Sequence, residues 1–148
     1  MEPDFSELIR KWIKLTLSRT FHSIFIFSKD HDVSMPQIGA LIRIHRKGNP
    51  NVSDIGADMG TSSAAASQLL NRMVQLGWIE RSEDPDDRRI KQINLTQNGL
   101  EFVNDCFHAS YKWFEDLVDS LKDDEKQEVM TVLNRLINKI EISNGKSD

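Results

Sequence analysis

Two adjacent arginines, Arg88 and Arg89, are the side chains of this sequence best suited to contact an anion. They follow Pro85 and several carboxylates, a composition that favours a turn over a helix. Strand-like segments flank this turn at residues 78–81 and 90–95. Two guanidinium groups near the tip of a hairpin are suited to the narrow, electronegative minor groove of DNA. The alternative is a solvated surface turn whose charges cancel.

A second candidate binding surface lies just upstream, where residues 61–76 have the apolar spacing of an amphipathic helix that ends at Gly77. Any of the hydroxyl residues at positions 61, 62 and 63 can serve as its N-cap. The opposite stripe is small, polar and almost uncharged, which is unusual for a solvent-facing surface in a chain with 28% charged residues. The apolar stripe consists of Ala66, Leu69, Met73 and Leu76, and the polar stripe of Ala64, Ser67, Gln68, Asn71 and Gln75.

Small polar side chains of this kind can read base edges in a major groove. Gln68 can pair with an adenine edge, the Ala64 methyl can contact a thymine methyl, and Arg72 on the flank suits a phosphate. The alternative is a core helix with a featureless outer face. The predicted DNA-binding residues are therefore Thr61, Ser62, Ser63, Ala64, Ser67, Gln68, Asn71, Arg72, Arg88, Arg89 and Lys91.

The elements before this helix complete a known supersecondary pattern. Residues 51–60 predict a short helix, with Asn51 or Ser53 as its cap and Gly60 as its stop. A short helix, a turn and a longer helix form a helix-turn-helix, and the hairpin that follows makes it winged. Further upstream, a Ser34 capping box predicts a helix to about residue 46. Its predicted inner face consists of Ile38, Leu41, Ile42 and His45.

Long apolar helices are predicted on both sides of this unit. The N-terminal helix is apolar on more than one face, and a small domain cannot easily bury three such helices alone. We therefore expect an intertwined homodimer, with an extended monomeric core as the alternative. The apolar positions are Leu8, Trp12, Leu15, Phe21 and Ile24–Phe27 in the first helix, Val103, Phe107, Ser110, Phe114, Val118 and Leu121 in the second, and Val129, Val132, Leu133, Leu136, Ile137 and Ile140 in the third.

Composition limits the possible classes of protein. At 148 residues the chain is long enough for one domain with a substantial core. It has no run of about 18 apolar residues and no signal-like start, so we expect a cytoplasmic protein. The net charge is -4, but residues 43–91 hold eight Lys and Arg against seven Asp and Glu, whereas residues 97–148 hold six against eleven. The acidic excess thus lies outside the proposed DNA-binding region.

Other chemistry has little support in the sequence. The four histidines lack zinc-site spacing, and neither a phosphate-binding glycine loop nor a nucleophile elbow is present. We expect no metal, no cofactor and no enzymatic activity. The lone Cys106 excludes an internal disulfide, and with no basic neighbour it is better interpreted as a buried helix residue than as a redox sensor.

Three segments of the chain resemble the MarR family of bacterial and archaeal transcription regulators, within a similarity that covers residues 34–99. They are Ser67-Gln-Leu-Leu-Asn-Arg-Met-Val-Gln-Leu-Gly-Trp-Ile-Glu-Arg81, Asp84-Pro-Asp-Asp-Arg-Arg89 and Leu95-Thr-Gln-Asn-Gly99. The resemblance implies that Arg89 enters the minor groove while Asp87 helps to hold the wing. Many members carry Arg where this chain has Gln68, and this departure lowers the charge of the helix and leaves the target sequence open.

The last of these segments implies a structural role at the end of the wing. In the family, the residues matched by Leu95, Thr96 and Gly99 close the second wing strand and start the next helix. An N-cap at Thr96 agrees physically with that match.

The fold class predicted is mainly α with a small β-wing, a winged helix-turn-helix with flanking dimerisation helices. We expect a single domain over residues 1–148, with dimerisation helices in 1–30 and 97–142, a DNA-binding region in 34–96 and a frayed tail in 143–148. The function implied is a homodimeric repressor that binds a pseudo-palindromic promoter site in double-stranded DNA. A winged-helix protein-interaction module that does not read DNA is the alternative.

The resemblance also implies a small aromatic effector, bound in a cleft between the dimerisation helices and the DNA-binding region. Its candidate contacts are Trp12, Phe21, His22, Phe25 and His45. The alternative is that these side chains are ordinary core residues.

Overall fold

The computed structural model describes residues 4–83 and 91–144, and these form two compact units that divide between Tyr111 and Lys112. The predicted fold class is confirmed, because the described residues are mostly helical with one small antiparallel sheet. In these ranges, no helix combines the length and the apolar character needed to cross a membrane. The elements are α1 (Phe5–Asp30), α2 (Met35–Lys47), α3 (Val52–Asp58), α4 (Ser63–Gln75), β1 (Ile79–Glu83), β2 (Lys91–Leu95), α5 (Gln97–Asp119) and α6 (Asp123–Asn144).

The start of α2 confirms the predicted capping box. The Ser34 hydroxyl accepts a hydrogen bond from the Gln37 backbone N–H at 3.4 Å, and the Ser34 N–H donates to Gln37 Oε1 at 2.8 Å. The predicted inner face is partly wrong, because Ile44 is buried where His45 was expected and His45 is exposed. Burying an aliphatic side chain in place of an imidazole avoids the desolvation of a polar ring.

The first helix of the helix-turn-helix, α3, is capped by Asn51 rather than Ser53. Asn51 Oδ1 accepts from the Asp54 N–H at 2.9 Å, and Asp54 Oδ2 accepts from the Asn51 N–H at 3.2 Å. These reciprocal bonds satisfy two backbone donors that a helix N-terminus otherwise leaves free.

The longer helix, α4, begins after Ser62, whose hydroxyl accepts from the Ala65 N–H at 3.2 Å. Its buried face consists of Ala66, Leu70 and Met73. The predicted stripe was therefore wrong at Leu76, an exposed C-cap residue, and it omitted Leu70, whereas Leu69 is half-buried and packs against the core. Spacings of three and four are compatible with either stripe, and the neighbouring elements select the one centred on Leu70.

The hairpin pairs β1 with β2, so that Ile79 lies opposite Leu95 and Glu83 opposite Lys91. The first strand therefore begins one residue later than predicted. A short additional pairing comes from the segment before α3, where Pro50 O accepts from the Ile93 N–H at 2.9 Å. The loop between the strands, residues 84–90, lies outside the described residues.

The first unit has its main core beneath the helix-turn-helix. It is built from side chains of α2, α3, α4, both strands and α5, all at most 2% exposed. A second buried cluster joins α1 to α2 and α5 through Phe27, Val33, Ile38 and Cys106. The members of the main cluster are Ala40, Leu41, Ile44, Ile55, Leu70, Met73, Ile79, Ile93 and Val103.

The remaining helices keep their apolar side chains at the surface of a single chain. In α1 the buried residues are Phe27 and Ser28, so the predicted burial of this helix on most sides is not met within one chain. In the second unit, α6 exposes an apolar stripe at helical spacing that includes Val129, Val132, Leu136 and Ile140. Leu121, expected in α5, follows the end of that helix.

Candidate nucleic-acid interface

The outer face of α4 brings the predicted base-reading side chains together. Ala64, Gln68 and Asn71 are exposed on successive turns, and Ser67 between them is half-buried. The Ser62 hydroxyl oxygen is occupied as the N-cap acceptor, so this side chain has a structural task besides any DNA contact. Thr61, Ser63 and Arg72 are also exposed. The result is an accessible helix face of small polar groups, next to the hairpin.

The hairpin is joined to α4 by a hydrogen bond that the sequence did not predict. Arg81 Nη2 donates to Asn71 Oδ1 at 2.7 Å, and both side chains are exposed. Arg81 lies opposite Ile93 in the sheet, on the hairpin face that also carries Ile79. The sequence signal for this contact is only the strand alternation, because the two residues are ten positions apart.

The third predicted hairpin cation, Lys91, is paired within the described strands. Its Nζ lies 2.8 Å from Glu83 Oε1, directly across the ladder, with about half of each side chain exposed. This carboxylate offsets the charge that Lys91 would offer to a phosphate. Asp87, Arg88 and Arg89 lie outside the described residues, so their wing roles stay predictions.

Thr96 joins the turn after α4 to the start of α5. Its hydroxyl donates to Gly77 O at 2.6 Å and accepts from the Gly99 N–H at 3.1 Å. Its backbone N–H donates to Trp78 O at 3.0 Å. Gly77 itself takes a φ of +72°, in the left-handed region that favours glycine. The expected N-cap role of Thr96 has this geometry, together with a link to the preceding turn.

Gly99 fits beneath the backbone of Trp78. A Cβ at this position would lie 1.9 Å from the Trp78 carbonyl oxygen and 2.8 Å from its carbonyl carbon. Hence any side chain would force the first turn of α5 away from the turn after α4. The Trp78 ring, stacked on Phe102 at 4.6 Å between centroids, continues this contact into the interior.

The candidate effector residues do not form one small pocket in a single chain. Trp12, Phe21, His22 and Phe25 are exposed along α1, and His45 is exposed on α2 beside the Phe107 ring. Positions 12 and 25 of one helix are about 20 Å apart along its axis, which is too far for one small aromatic molecule to span.

Two shallow depressions in the first unit are lined by other residues. One, of about 410 Å³, is lined by Ser28, Lys29, Asp32, Val33, Ser34 and Gln37. The other, of about 190 Å³, is lined by Arg43, Arg46, Lys47 and Asp58, with Lys47 Nζ 2.7 Å from Asp58 Oδ2.

The described residues offer no group of three His, Cys, Asp or Glu side chains placed to hold a metal ion. Cys106 is buried in the second core cluster, as the sequence predicts. Burial raises the pKa of the Cys106 thiol, because desolvation disfavours the thiolate. A raised pKa lowers the nucleophilic fraction of this sulfur at neutral pH.

Sequence comparison connects this arrangement to known proteins. Residues 33–91 match the model of the MarR family. YfiV, an uncharacterized HTH-type transcriptional regulator of Bacillus subtilis (strain 168), is 31% identical over 109 residues, which are 72% of this chain and 68% of YfiV. The transcriptional repressor MprA of Escherichia coli (strain K12) is 26% identical over 104 residues, 69% of this chain. The match spans only 59% of MprA, less than two thirds of that relative.

Solved structures share the fold. The transcriptional regulator Tm0710 from Thermotoga maritima aligns with a TM-score of 0.81 at 18% identity, over 95% of this chain and 96% of its own. A mutant of MepR from S. aureus, bound to an oligodeoxyribonucleotide, aligns with a TM-score of 0.65 at 20% identity, over 94% and 99%. The winged helix-turn-helix geometry, the family match and the YfiV identity agree. This chain belongs to the MarR family, whose members are DNA-binding transcription regulators and not enzymes.

Proposed function

We propose that this protein is a homodimeric repressor that binds a pseudo-palindromic promoter site in double-stranded DNA. The observation that carries the proposal is the exposed, small and polar outer face of α4, set beside a hairpin that is bonded to it through Arg81 and Asn71. Repression is supported by the relative MprA, which is named a transcriptional repressor. The proposal also places the protein in the cytoplasm, where a bacterial or archaeal promoter lies.

In this proposal α4 lies in the major groove and the hairpin reaches the adjacent minor groove. Gln68 can donate to and accept from an adenine edge, while the Ala64 methyl suits a thymine methyl. Arg88 and Arg89 contact the minor groove near the tip of the wing, and Asp87 supports them. The MepR mutant bound to an oligodeoxyribonucleotide, which shares the fold, supports DNA as the partner.

The homodimer is supported by the apolar surfaces that one chain leaves uncovered. Large side chains of α1, such as Trp12 and Leu15, and of α6, such as Val132 and Ile140, are at least 50% exposed. Exposed apolar faces of this extent are typical of surfaces that a partner covers. We assign α1 and the helices of residues 97–142 to dimerisation, and residues 34–96 to DNA binding, within one domain. Each subunit then binds one half-site of the palindrome.

Dimerisation also compensates for the weak positive charge of residues 43–91. Residues 43–91 carry eight Lys and Arg against seven Asp and Glu, so one subunit neutralises few phosphates. Two linked subunits bind with an effective concentration that a monomer lacks. We therefore expect the dimer to bind its site far more tightly than one subunit binds a half-site.

The direct test is a DNA-binding titration with the promoter region of its own gene at low and moderate salt. We expect specific binding, and Arg89→Ala should weaken it strongly and lower its salt dependence. Lys122→Gln, which removes an exposed charge from the turn before α6, is the matched control. An absence of binding even at low salt would contradict the proposal and favour the protein-interaction module.

Base reading by α4 has its own test. Gln68→Ala should change the preferred base at one position of each half-site, while the affinity for unrelated DNA stays the same. A selection from randomised operators reports the preference for both proteins. An unchanged preference would exclude Gln68 as a base reader.

A small aromatic effector completes the proposal. Phe21, His22 and Phe25 lie within about one turn of α1 and are exposed, so they can contact one ring-sized molecule, whereas Trp12 and His45 would require a second contributing element. Thermal-shift screening with aromatic acids tests this, since a ligand of the folded state raises the melting temperature. No shift across a broad set of aromatic acids would contradict it.

A further inference from the structure

The hydrogen bond between Arg81 and Asn71 crosses the angle between α4 and the hairpin. In β1, alternate side chains share a face, so Ile79, Arg81 and Glu83 point to the same side. Ile79 is buried in the core at the base of this face, and Glu83 pairs with Lys91 at its far end. Arg81 lies between them, where the hairpin leaves the core and passes the exposed face of α4.

The charge at this position is not cancelled by its observed partner. Asn71 is neutral, so its bond brings no negative charge to Arg81, whereas Lys91 faces a carboxylate at 2.8 Å. A guanidinium group carries five N–H donors, and the bond to Asn71 Oδ1 occupies one of them. Arg81 therefore combines a fixed position, an exposed side chain and a guanidinium group of the kind that binds a phosphate through two donors.

The geometry of the duplex identifies the group that would lie in this angle. If α4 occupies a major groove and the wing the adjacent minor groove, one sugar-phosphate backbone must pass between them, because a backbone separates every two adjacent grooves. We propose that Arg81, positioned by Asn71, binds a phosphate of this backbone in each half-site. The inference rests on the proposed function and adds a positioning contact to it.

This inference changes the role of Asn71. The bond from Arg81 occupies one of the two acceptor sites of Asn71 Oδ1 and holds the amide group toward the hairpin, which makes Asn71 less available for the usual two-bond pairing with an adenine. Asn71 is thus a positioning residue for Arg81, and base reading on α4 is left to its neighbours on the exposed face, chiefly Gln68.

The test is the salt dependence of operator binding, measured by fluorescence anisotropy between about 50 and 200 mM salt. Each lost phosphate contact lowers the slope of log K against log salt by about 0.9, so Arg81→Gln should lower it by about 2 per dimer. The base preference in an operator selection should not change. Arg81→Lys should keep most of the slope, and Lys122→Gln should keep all of it.

Substitutions of Asn71 test the positioning. Asn71→Asp should also lower the slope, because a carboxylate beside Arg81 cancels its charge. Asn71→Ala should weaken DNA binding when Arg81 is present. It should have no further effect in the Arg81→Gln variant, because the effects of two residues that act as one unit are not additive. A purely structural fastening of the hairpin would reduce thermal stability and leave the salt slope unchanged.

Three results would overturn the inference in distinguishable ways. An unchanged slope for Arg81→Gln, with normal binding by the unaltered protein, would remove the phosphate contact and leave the proposed function intact. A changed base preference at one operator position would show that Arg81 reads a base. A failure of the unaltered protein to bind DNA at low salt would overturn the proposed function itself.

Discussion

The helix-turn-helix and the helices α1 and α6 differ in how much of their apolar surface a single chain buries. Beneath the helix-turn-helix, the core side chains of a single chain are at most 2% exposed. Along α1 and α6, many large apolar side chains are 40–71% exposed, from Leu136 to Phe5. The same chain thus completes one apolar core by itself and leaves other apolar surfaces uncovered. The difference fits the proposed homodimer, in which a second chain would cover the apolar surfaces of α1 and α6, whereas the core beneath the helix-turn-helix is complete within one chain.

The energetic contrast follows from the area left in water. Fully burying a large aliphatic or aromatic side chain contributes about 1.5–3 kcal/mol, so several half-exposed side chains leave a substantial stabilisation unrealised in one chain. This favours an association in which the stability of the helices depends on protein concentration. Two kinds of substitution test this contrast: charges placed on the exposed stripe of α6, and changes that disturb packing next to the core beneath the helix-turn-helix.

The largest effect is expected from Leu136→Asp combined with Ile140→Asp on α6. Both side chains lie on the exposed apolar stripe, and carboxylates there would be desolvated without partners when a second chain covers it. We expect the dimer to weaken more than about a thousandfold, or about 4 kcal/mol, as measured by sedimentation equilibrium. Asn134→Asp, an exposed polar position on the same helix, is the matched control. Unaltered dimerisation would show that α6 is not part of the interface.

Gly99→Ala tests the close packing of α5 beneath the turn that follows α4. The new Cβ would collide with the Trp78 carbonyl oxygen, a backbone atom that cannot turn aside, so we expect a loss of about 3 kcal/mol or more in the free energy of unfolding. Urea denaturation measures it. Gly39→Ala is the control, because its Cβ would meet only the end of the flexible Arg43 side chain. Equal stability of the two variants would contradict the close packing at Gly99.

A smaller loss is expected from Thr96→Val, which keeps the shape of the side chain and removes its hydroxyl. The change leaves Gly77 O and the Gly99 N–H without their partner, at a cost of about 2 kcal/mol. Thr96→Ser retains the hydroxyl and should lie within about 0.5 kcal/mol of the unaltered protein. Chemical denaturation of the three proteins measures the order, and a serine variant as unstable as the valine one would rule out the hydroxyl as the cause.

The smallest effect is expected from Glu83→Gln at the last residue of β1. The ion pair with Lys91 is about half exposed, and pairs of this kind contribute less than about 1 kcal/mol. Stability should therefore change little, whereas the salt slope of DNA binding should increase because Lys91 loses its carboxylate partner. Glu80→Gln, an exposed position on the same strand, is the control. A large loss of stability in Glu83→Gln alone would mean that this pair is structurally important.

Local signals in the sequence predicted much of the fold. The caps at Ser34 and Asn51 depend on side chains three residues apart, so the sequence contains the whole interaction. The facing of helices was less predictable. Leu70 is fully buried and the adjacent Leu69 packs half-buried against the same core, and contacts from other elements set this difference.

The candidate site was only partly predictable for a similar reason. The outer face of α4 follows from helical periodicity, but the bond between Asn71 and Arg81 depends on where the hairpin runs relative to the helix. Family resemblance identified Gly99, and its physical cause, the backbone of Trp78, is visible only in the folded chain. Arg88 and Arg89 stay predictions, since they lie outside the described residues.

The joint at Thr96 has a mechanical consequence. Thr96 bonds to both Gly77 and Gly99, and Gly99 has no space beneath Trp78. The end of α4 and the first turn of α5 must therefore move together as one rigid body. A rotation of that first turn would therefore move the end of α4 by the same amount. A molecule that rotated the first turn of α5 could therefore displace α4 from DNA without contacting any DNA-binding residue.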